Sequence, residues 1–339
     1  MNTPISLLPP GRTFVRSLIL RSLGGFDTEN MYAFARNRWG EHQAGEVTKA
    51  AVAALSTSDF GDAARVFFGL AREQSIIGRL VALRRVPFNV RMVAVQSGAT
   101  GYWVSQAKNK PLSRVALNGS QLDTLKVAAI LVVTKEMLQA NDPAAEDTLQ
   151  GDLERAVTGV LDEAFLDPSN SGIANEMPAS ISSGATVLAA TNDFGADLRA
   201  MIQDFQGNLA YATFVTDPAT ATRIATMTAA GGRYLFPNIG PRGGELLGIP
   251  VLTTRSSGQD SSGGRLTLLD PTGIAAALGR IEMSTGDHAT LQMSDDPNDD
   301  TVPIENVSMW QTNSVAFKAE IFANWNRQRP GSVIVLEGL

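Results

Sequence analysis

The chain contains no cysteine, so disulfides and thiolate metal sites are excluded and the protein suits a reducing compartment. Histidine is almost as scarce. His42 and His288 are the only two imidazoles, too few for a multi-histidine metal site within one chain. No apolar run is long enough to span a bilayer. Basic residues number 28 against 34 acidic ones, giving a net charge of −6. That excludes a surface built to grip nucleic acid over a wide area, but not a protein that encloses DNA without holding it tightly. The patterns G-x-x-x-x-G-K-[ST], G-x-S-x-G and H-E-x-x-H are all missing. Gly231-Gly232 and Gly243-Gly244 lack the strand, loop, helix and lysine of a phosphate cradle, and read as turns.

What is present is a chain of 339 residues with 44% apolar content, enough for real cores and, by length, about two domains. Residues 1–60 are rich in small residues and read as an extended N-terminal arm. Near its start, Arg12, Arg16 and Arg21 break the apolar run Phe14, Val15, Leu18, Ile19 and Leu20, so the segment does not read as a signal peptide. That segment reads either as an amphipathic arm lying on a partner or as a frayed terminus. A helix is expected near Asp62 to Leu80, within a segment 61–85 that leads into the first domain. Residues 86–125 form a long loop with strand-like runs flanking the turn Ser97 to Gly101, as in a hairpin. A loop of that length usually works outside its own domain. Leu125 to Val133 then reads as a buried strand.

The clearest helix is Pro143 to Leu166. Asp142 is placed as its N-cap, Pro143 at its first position, and Glu146 and Asp147 at its positive end. Leu149, Leu153, Ala156, Val160 and Ala164 recur as one apolar stripe. Further helices are expected from Asp193 to Gln206 and after Asp217-Pro218, with strands at Phe214 to Thr216 and from Leu247. The alternation of Val315, Phe317, Ala319 and Ile321 gives a half-buried strand. The acidic run Asp295, Asp296, Asp299 and Asp300 lacks the glycine and glutamate of an EF-hand. It reads as a solvated loop, with a cation held between chains as the other reading. Trp103 and Trp310 are either interface anchors or core residues, and arginine is favoured over lysine throughout.

One stretch carries a family resemblance. Trp103-Val104-Ser105-Gln106, then Lys108-Asn109-Lys110-Pro111, Leu125-Lys126-Val127 and Val132 to Leu138 resemble the junction between extended loop and spine helix in tailed-phage major capsid proteins with the Hong Kong 97 fold. Gln106 stands where that family usually has glutamate. Later, Gly232-Arg233-Tyr234, Leu247 to Val251 and Arg329-Pro330 resemble the family's axial domain and C-terminus, so the likeness runs from about residue 60 to the end.

The resemblance implies an α+β fold. Its parts are the N-terminal arm (1–60), the leading helix (61–85), the extended loop (86–125), a peripheral domain with the spine helix (126–185), an axial domain (186–275), peripheral strands (276–322) and a return to the axial domain (323–339). It implies a structural protein, not an enzyme, that assembles as hexamers and pentamers into an icosahedral shell around double-stranded DNA. The virion would be its location, after assembly in the host cytoplasm. The expected partners are further copies and a portal protein, with a scaffold, a maturation protease or a decoration protein as additional ones. No cofactor, metal or membrane is implied, and the chain is expected intact from Met1. Loop contacts fall to Trp103, Gln106, Lys108 and Pro111. Some members join subunits by an isopeptide bond, which places Lys110 and Asn313 as reactants and Glu320 as the assisting carboxylate. Asn313 and Glu320, seven apart on a regular strand, would face opposite ways, so such a site would form between subunits. Against it, Asn313 is also suited to capping a strand, and Glu320 to pairing with Arg327 or Arg329. A cargo-enclosing bacterial nanocompartment shell of the same fold is the alternative, and a hydrolase with an unrecognised site a more distant one.

Overall fold

The computed structural model describes residues 12–24, 27–53, 75–97, 103–104, 106, 116–139, 143–229, 231–256, 263–292 and 306–339. Among these, the chain opens with helices α1 (Arg12–Gly24), α2 (Thr28–Trp39) and α3 (Glu41–Ala53), then the short α4 (Ile76–Arg79). Strands β1 (Arg84–Arg85), β2 (Arg91–Ser97), β3 (Ala116–Gln121) and β4 (Lys126–Thr134) lead to α5 (Lys135–Gln139) and the long α6 (Pro143–Leu166). Next come β5 (Thr186–Ala189), α7 (Phe194–Asp204), β6 (Thr213–Thr216), α8 (Pro218–Ala225), β7 (Ile239–Gly240), β8 (Gly243–Leu246), β9 (Ile249–Thr253) and β10 (Arg265–Leu269). The chain closes with β11 (Ile274–Gly286), β12 (Thr290–Gln292), β13 (Asn306–Ser308), β14 (Ser314–Arg327) and β15 (Val333–Glu337).

Two compact units share this order. One takes Met1–Gln74, Val127–Thr158 and Arg280–Ile321, and the other Ser75–Lys126, Gly159–Gly279 and Phe322–Leu339. The strands form a seven-stranded sheet, β5-β15-β10-β6-β9-β8-β7, a four-stranded sheet, β1-β11-β14-β4, and the pairs β12-β13 and β2-β3.

In the first unit the residues expected to be an extended arm are helical over 12–24, 28–39 and 41–53. Asp27 caps α2 by accepting from the Glu29 N–H, and Gly40 stops it at a φ of 88°. The helix α3 then starts at once and returns along α2. Leu20, Met31, Ala35, Ala44, Val47 and Ala51 form their shared core. The small residues that suggested an arm are what let these helices approach closely. Trp39 lies beneath two cations, Arg16 at 5.2 Å and Arg38 at 5.3 Å. Arg38 also donates to the Leu138 carbonyl at 2.6 Å.

The second unit is built on the seven-stranded sheet. Phe214, Leu266, Leu268, Ile334 and Leu336 face Leu198, Met201 and Ile224 of α7 and α8. Asp217 caps α8, as the sequence suggested, and Asp193, expected as the first residue of its helix, is instead the N-cap of α7. Gly243 and Gly244 are strand residues, not a turn. A Cβ on Gly244 would sit 2.0 Å from the Asn238 carbonyl oxygen, so the glycine is required by backbone approach.

Other expectations shift. The hairpin pairs β2 with β3, so the return strand begins at Ala116 and Trp103 lies outside it. The strand β4 is half-buried, with Ile130 exposed and Val133 buried. On α6, Ala156 and Val160 are exposed while Leu161, Asp162, Phe165 and Leu166 are buried. The stripe is thus rotated, because Trp325 stacks edge-on against Phe165 at 5.2 Å and fixes which side faces inward. The helix expected near Asp62 is described only at Ile76–Arg79, and the Asp142 cap and the acidic run Asp295 to Asp300 lie outside the described residues.

Phe214 is fully buried at the sheet centre. Phe214→Ala should destabilise the unassembled protein by about 3–5 kcal/mol, read as the midpoint shift in urea unfolding.

Candidate functional site

The hairpin β2-β3, bulged between Val95 and Ser97, carries the residues expected to contact other subunits. Trp103 at 104% relative exposure, Val104 and Gln106 all face solvent. A tryptophan ring of 150–250 Å² left in water forgoes roughly 4–6 kcal/mol of burial, which suits an anchor awaiting a partner surface. Lys108, Lys110 and Pro111 lie outside the described residues.

Asn313 sits in the turn between β13 and β14 with a φ of 48°, the left-handed region that asparagine tolerates. Its carbonyl accepts from the Lys135 N–H at 2.8 Å, and Ser314 N–H closes the turn on the Met309 carbonyl at 2.8 Å. Asn313 therefore precedes the strand that carries Glu320, and the opposite-face argument for a regular strand does not apply to the pair. Trp310, in the same turn, is 70% exposed. Lys135 Nζ lies 3.3 Å from Asp287. Glu320 is paired with Lys318 at 3.2 Å. Of the partners considered for it, Arg327 donates to the Ile181 and Gly184 carbonyls and Arg329 faces Asp270 at 3.6 Å.

In the other unit, sequence reasoning missed Asp162. Its carboxylate accepts from the Ile76 N–H at 2.8 Å and from the Thr254 hydroxyl at 2.9 Å, joining α6 to α4 and to the end of β9. Arg79 adds a second tie by donating to the Thr253 carbonyl at 2.8 Å. Burial pushes the Asp162 carboxyl up to about 6, against the lowering effect of those hydrogen bonds and of Arg79. The available signal was an acid beside Leu161 and one turn before Phe165 and Leu166, where solvent-facing charge is not expected.

Among the described residues no group of acidic, histidine or cysteine side chains could hold a metal, and no helix is long and apolar enough to cross a membrane. Among the described residues Trp103, Val104 and Trp310 are exposed large apolar side chains. A family model described as the phage capsid family matches residues 62–338. The chain belongs to the phage capsid family. The capsid polyprotein of Pseudomonas phage PAJU2 is 33% identical over 362 residues, an alignment that takes 98% of this chain. The chain spans 54% of that relative's length. Among solved structures, that of Gordonia phage Cozz matches with a TM-score of 0.57 at 19% identity, covering 78% of this chain and 86% of that one. Mycobacterium phage Cain gives 0.55 at 17%, covering 85% and 97%. The capsid of a native GTA particle gives 0.50 at 14%, covering 75% and 87%. The α+β architecture is thus the Hong Kong 97 fold. The protein is a structural capsid component of the virion, not an enzyme.

Because the Asp162 carboxyl holds its proton more tightly when folded than when unfolded, folding is favoured as pH falls. The contribution of Asp162 to stability should rise by about 2 kcal/mol between pH 7 and pH 4, as pH falls from above the folded value of about 6 toward the ordinary carboxylate value. Asp162→Asn keeps an acceptor for Ile76 and should flatten that part of the profile. Equal slopes in urea titrations of the two proteins would refute the assignment.

Proposed function

We propose that this capsid protein assembles as hexamers and pentamers into an icosahedral head shell around double-stranded DNA. The single observation that carries the reading is the fully exposed Trp103, in a long connection off the β2-β3 hairpin, on a chain of the phage capsid family. Closed shells need one chain to make several different contacts around rotation axes, and a projecting loop reaches where a compact unit does not. The net charge of −6 suits an interior that leaves packaged DNA unstuck. Assembly takes place in the host cytoplasm with a portal, and with a scaffold, protease or decoration protein as further partners. The relatives named above come from phages and a GTA particle, which favours this reading over a protein-filled nanocompartment.

The same reading gives Trp103, Gln106, Lys108 and Pro111 contacts with a neighbouring copy. It also gives Lys110 an isopeptide bond to Asn313 of that copy. The neutral amine attacks the carboxamide carbon, Glu320 takes the amine's proton and passes it to the side-chain amide nitrogen, and the C–N bond to that nitrogen breaks so that it leaves as ammonia. The exposure of Asn313 in its turn leaves the carboxamide accessible to another chain.

Light scattering of the purified protein should give megadalton particles, and absorbance of particles from infected cells should show nucleic acid. A persistent monomer in the presence of infected-cell lysate would overturn the shell. Trp103→Ala should reduce particle yield at least tenfold without changing the unfolding midpoint. Boiled particles should run as a ladder of multimers that Lys110→Arg abolishes. A single monomer band from mature particles would remove the cross-link while leaving the shell.

A further inference from the structure

The returning pair α2 and α3 leaves an open apolar groove of about 610 Å³ on the first unit, lined by Glu29, Tyr32, Gly45, Thr48, Lys49 and Val52 among others. Three observations show that it is unfilled by the described residues. Thr48 is 5% exposed, and its buried hydroxyl finds no hydrogen-bond partner among them, an arrangement that natural proteins rarely leave in place. Gly45 lies inside a helix, where glycine is unfavourable, yet a Cβ there would meet nothing within 4 Å. The notch therefore packs against none of the described residues. Tyr32 remains 37% exposed at the rim.

Charge identifies the occupant. Glu29 on α2 and Lys49 on α3 flank the groove, and neither side chain makes an ion pair with a described residue. The two helices run in opposite directions, joined by Gly40 alone. Rotating a second copy by 180° about an axis parallel to the groove lays its α2 over this α3. At about 1.5 Å of rise per residue, that places its Glu29 within about 3 Å in height of this Lys49, and its Lys49 likewise of this Glu29. The groove is self-complementary in charge.

We propose that the α2-α3 face is a two-fold interface between copies of this chain, closing an antiparallel four-helix bundle. An isologous contact of this kind pairs each residue reciprocally, and a helix pressed into the Gly45 notch reaches the Thr48 hydroxyl. The proposal rests on the shell reading, since a closed shell contains two-fold axes between its rings.

The absence of native cysteine makes the test clean. Copies carrying Glu29→Cys are mixed with copies carrying Lys49→Cys, assembled, oxidised and run without reductant. A dimer band from the mixed particles and not from either parent alone is expected. Monomer only from the mixture, or a dimer from one parent alone, overturns the interface. Failure of the unsubstituted chain to form particles would instead sink the shell. Gly45→Leu, a better helix former that fills the notch, is expected to keep the circular dichroism of the helices and abolish the cross-link when introduced into both parents. A cross-link that survives Gly45→Leu would also overturn the proposal.

Discussion

The second unit depends on the placement of its last strand. Strand β15 lies inside the sheet, antiparallel to β10 from Leu269↔Val333 to Arg265↔Glu337 and parallel to β5 from Ile334↔Thr186 to Glu337↔Ala189. Val333, Ile334, Val335 and Leu336 are all essentially inaccessible to water, so both faces of β15 are covered. Such strands read as continuous apolar runs, and each residue contributes burial on one side or the other. Without β15 the edge strand β5 has no partner, and Leu266 and Leu268 lose the wall opposite them. Residues more than a hundred positions apart must therefore meet before the sheet closes, which makes the topology rich in distant contacts.

Around that sheet the buried acids act as joints. Asp270, with no exposure, accepts from the Asn208 and Thr272 N–H groups, while its own N–H donates to the Ser332 carbonyl just before β15. Asp197 holds Thr191, and Asp217 starts α8. Each carboxylate satisfies backbone donors that would otherwise be orphaned, which is why charge is tolerated at these depths. Asp162 differs, since its bonds do not offset desolvation, and its burial leaves a proton-sensitive joint between α6, α4 and β9.

The exposed apolar residues divide the molecule by purpose. Trp103, Trp310, Val160, Tyr234 and Leu247 face solvent in the isolated chain. Scattered singly, such residues are ordinary. In the reading proposed above, those on the hairpin connection and the groove over Thr48 are surfaces for neighbouring copies.

Much of the architecture was legible in the residues. Pro143 at the start of α6, Asp217 as a cap, and a strand at β14 are local signals, because capping and strand propensity depend on a few neighbours along the chain. The capsid family was legible as well, since the loop and turn motifs lie in short contiguous runs. The helical nature of residues 12–24, 28–39 and 41–53 was not. Arginines interrupt its apolar positions, and only folding reveals that Arg16 and Arg38 are stacked on Trp39 instead of solvated. Nor was the inward face of α6, which Trp325 selects from 160 residues away, or the strand role of Gly243-Gly244, which the Asn238 and Val251 carbonyls impose. The amino-acid sequence by itself determined the helix starts, the strand periods and the family. The tertiary structure alone decided which faces are buried, where Asp162 finds its partners and which anchors stay in water, because those depend on groups that the chain brings together only by folding.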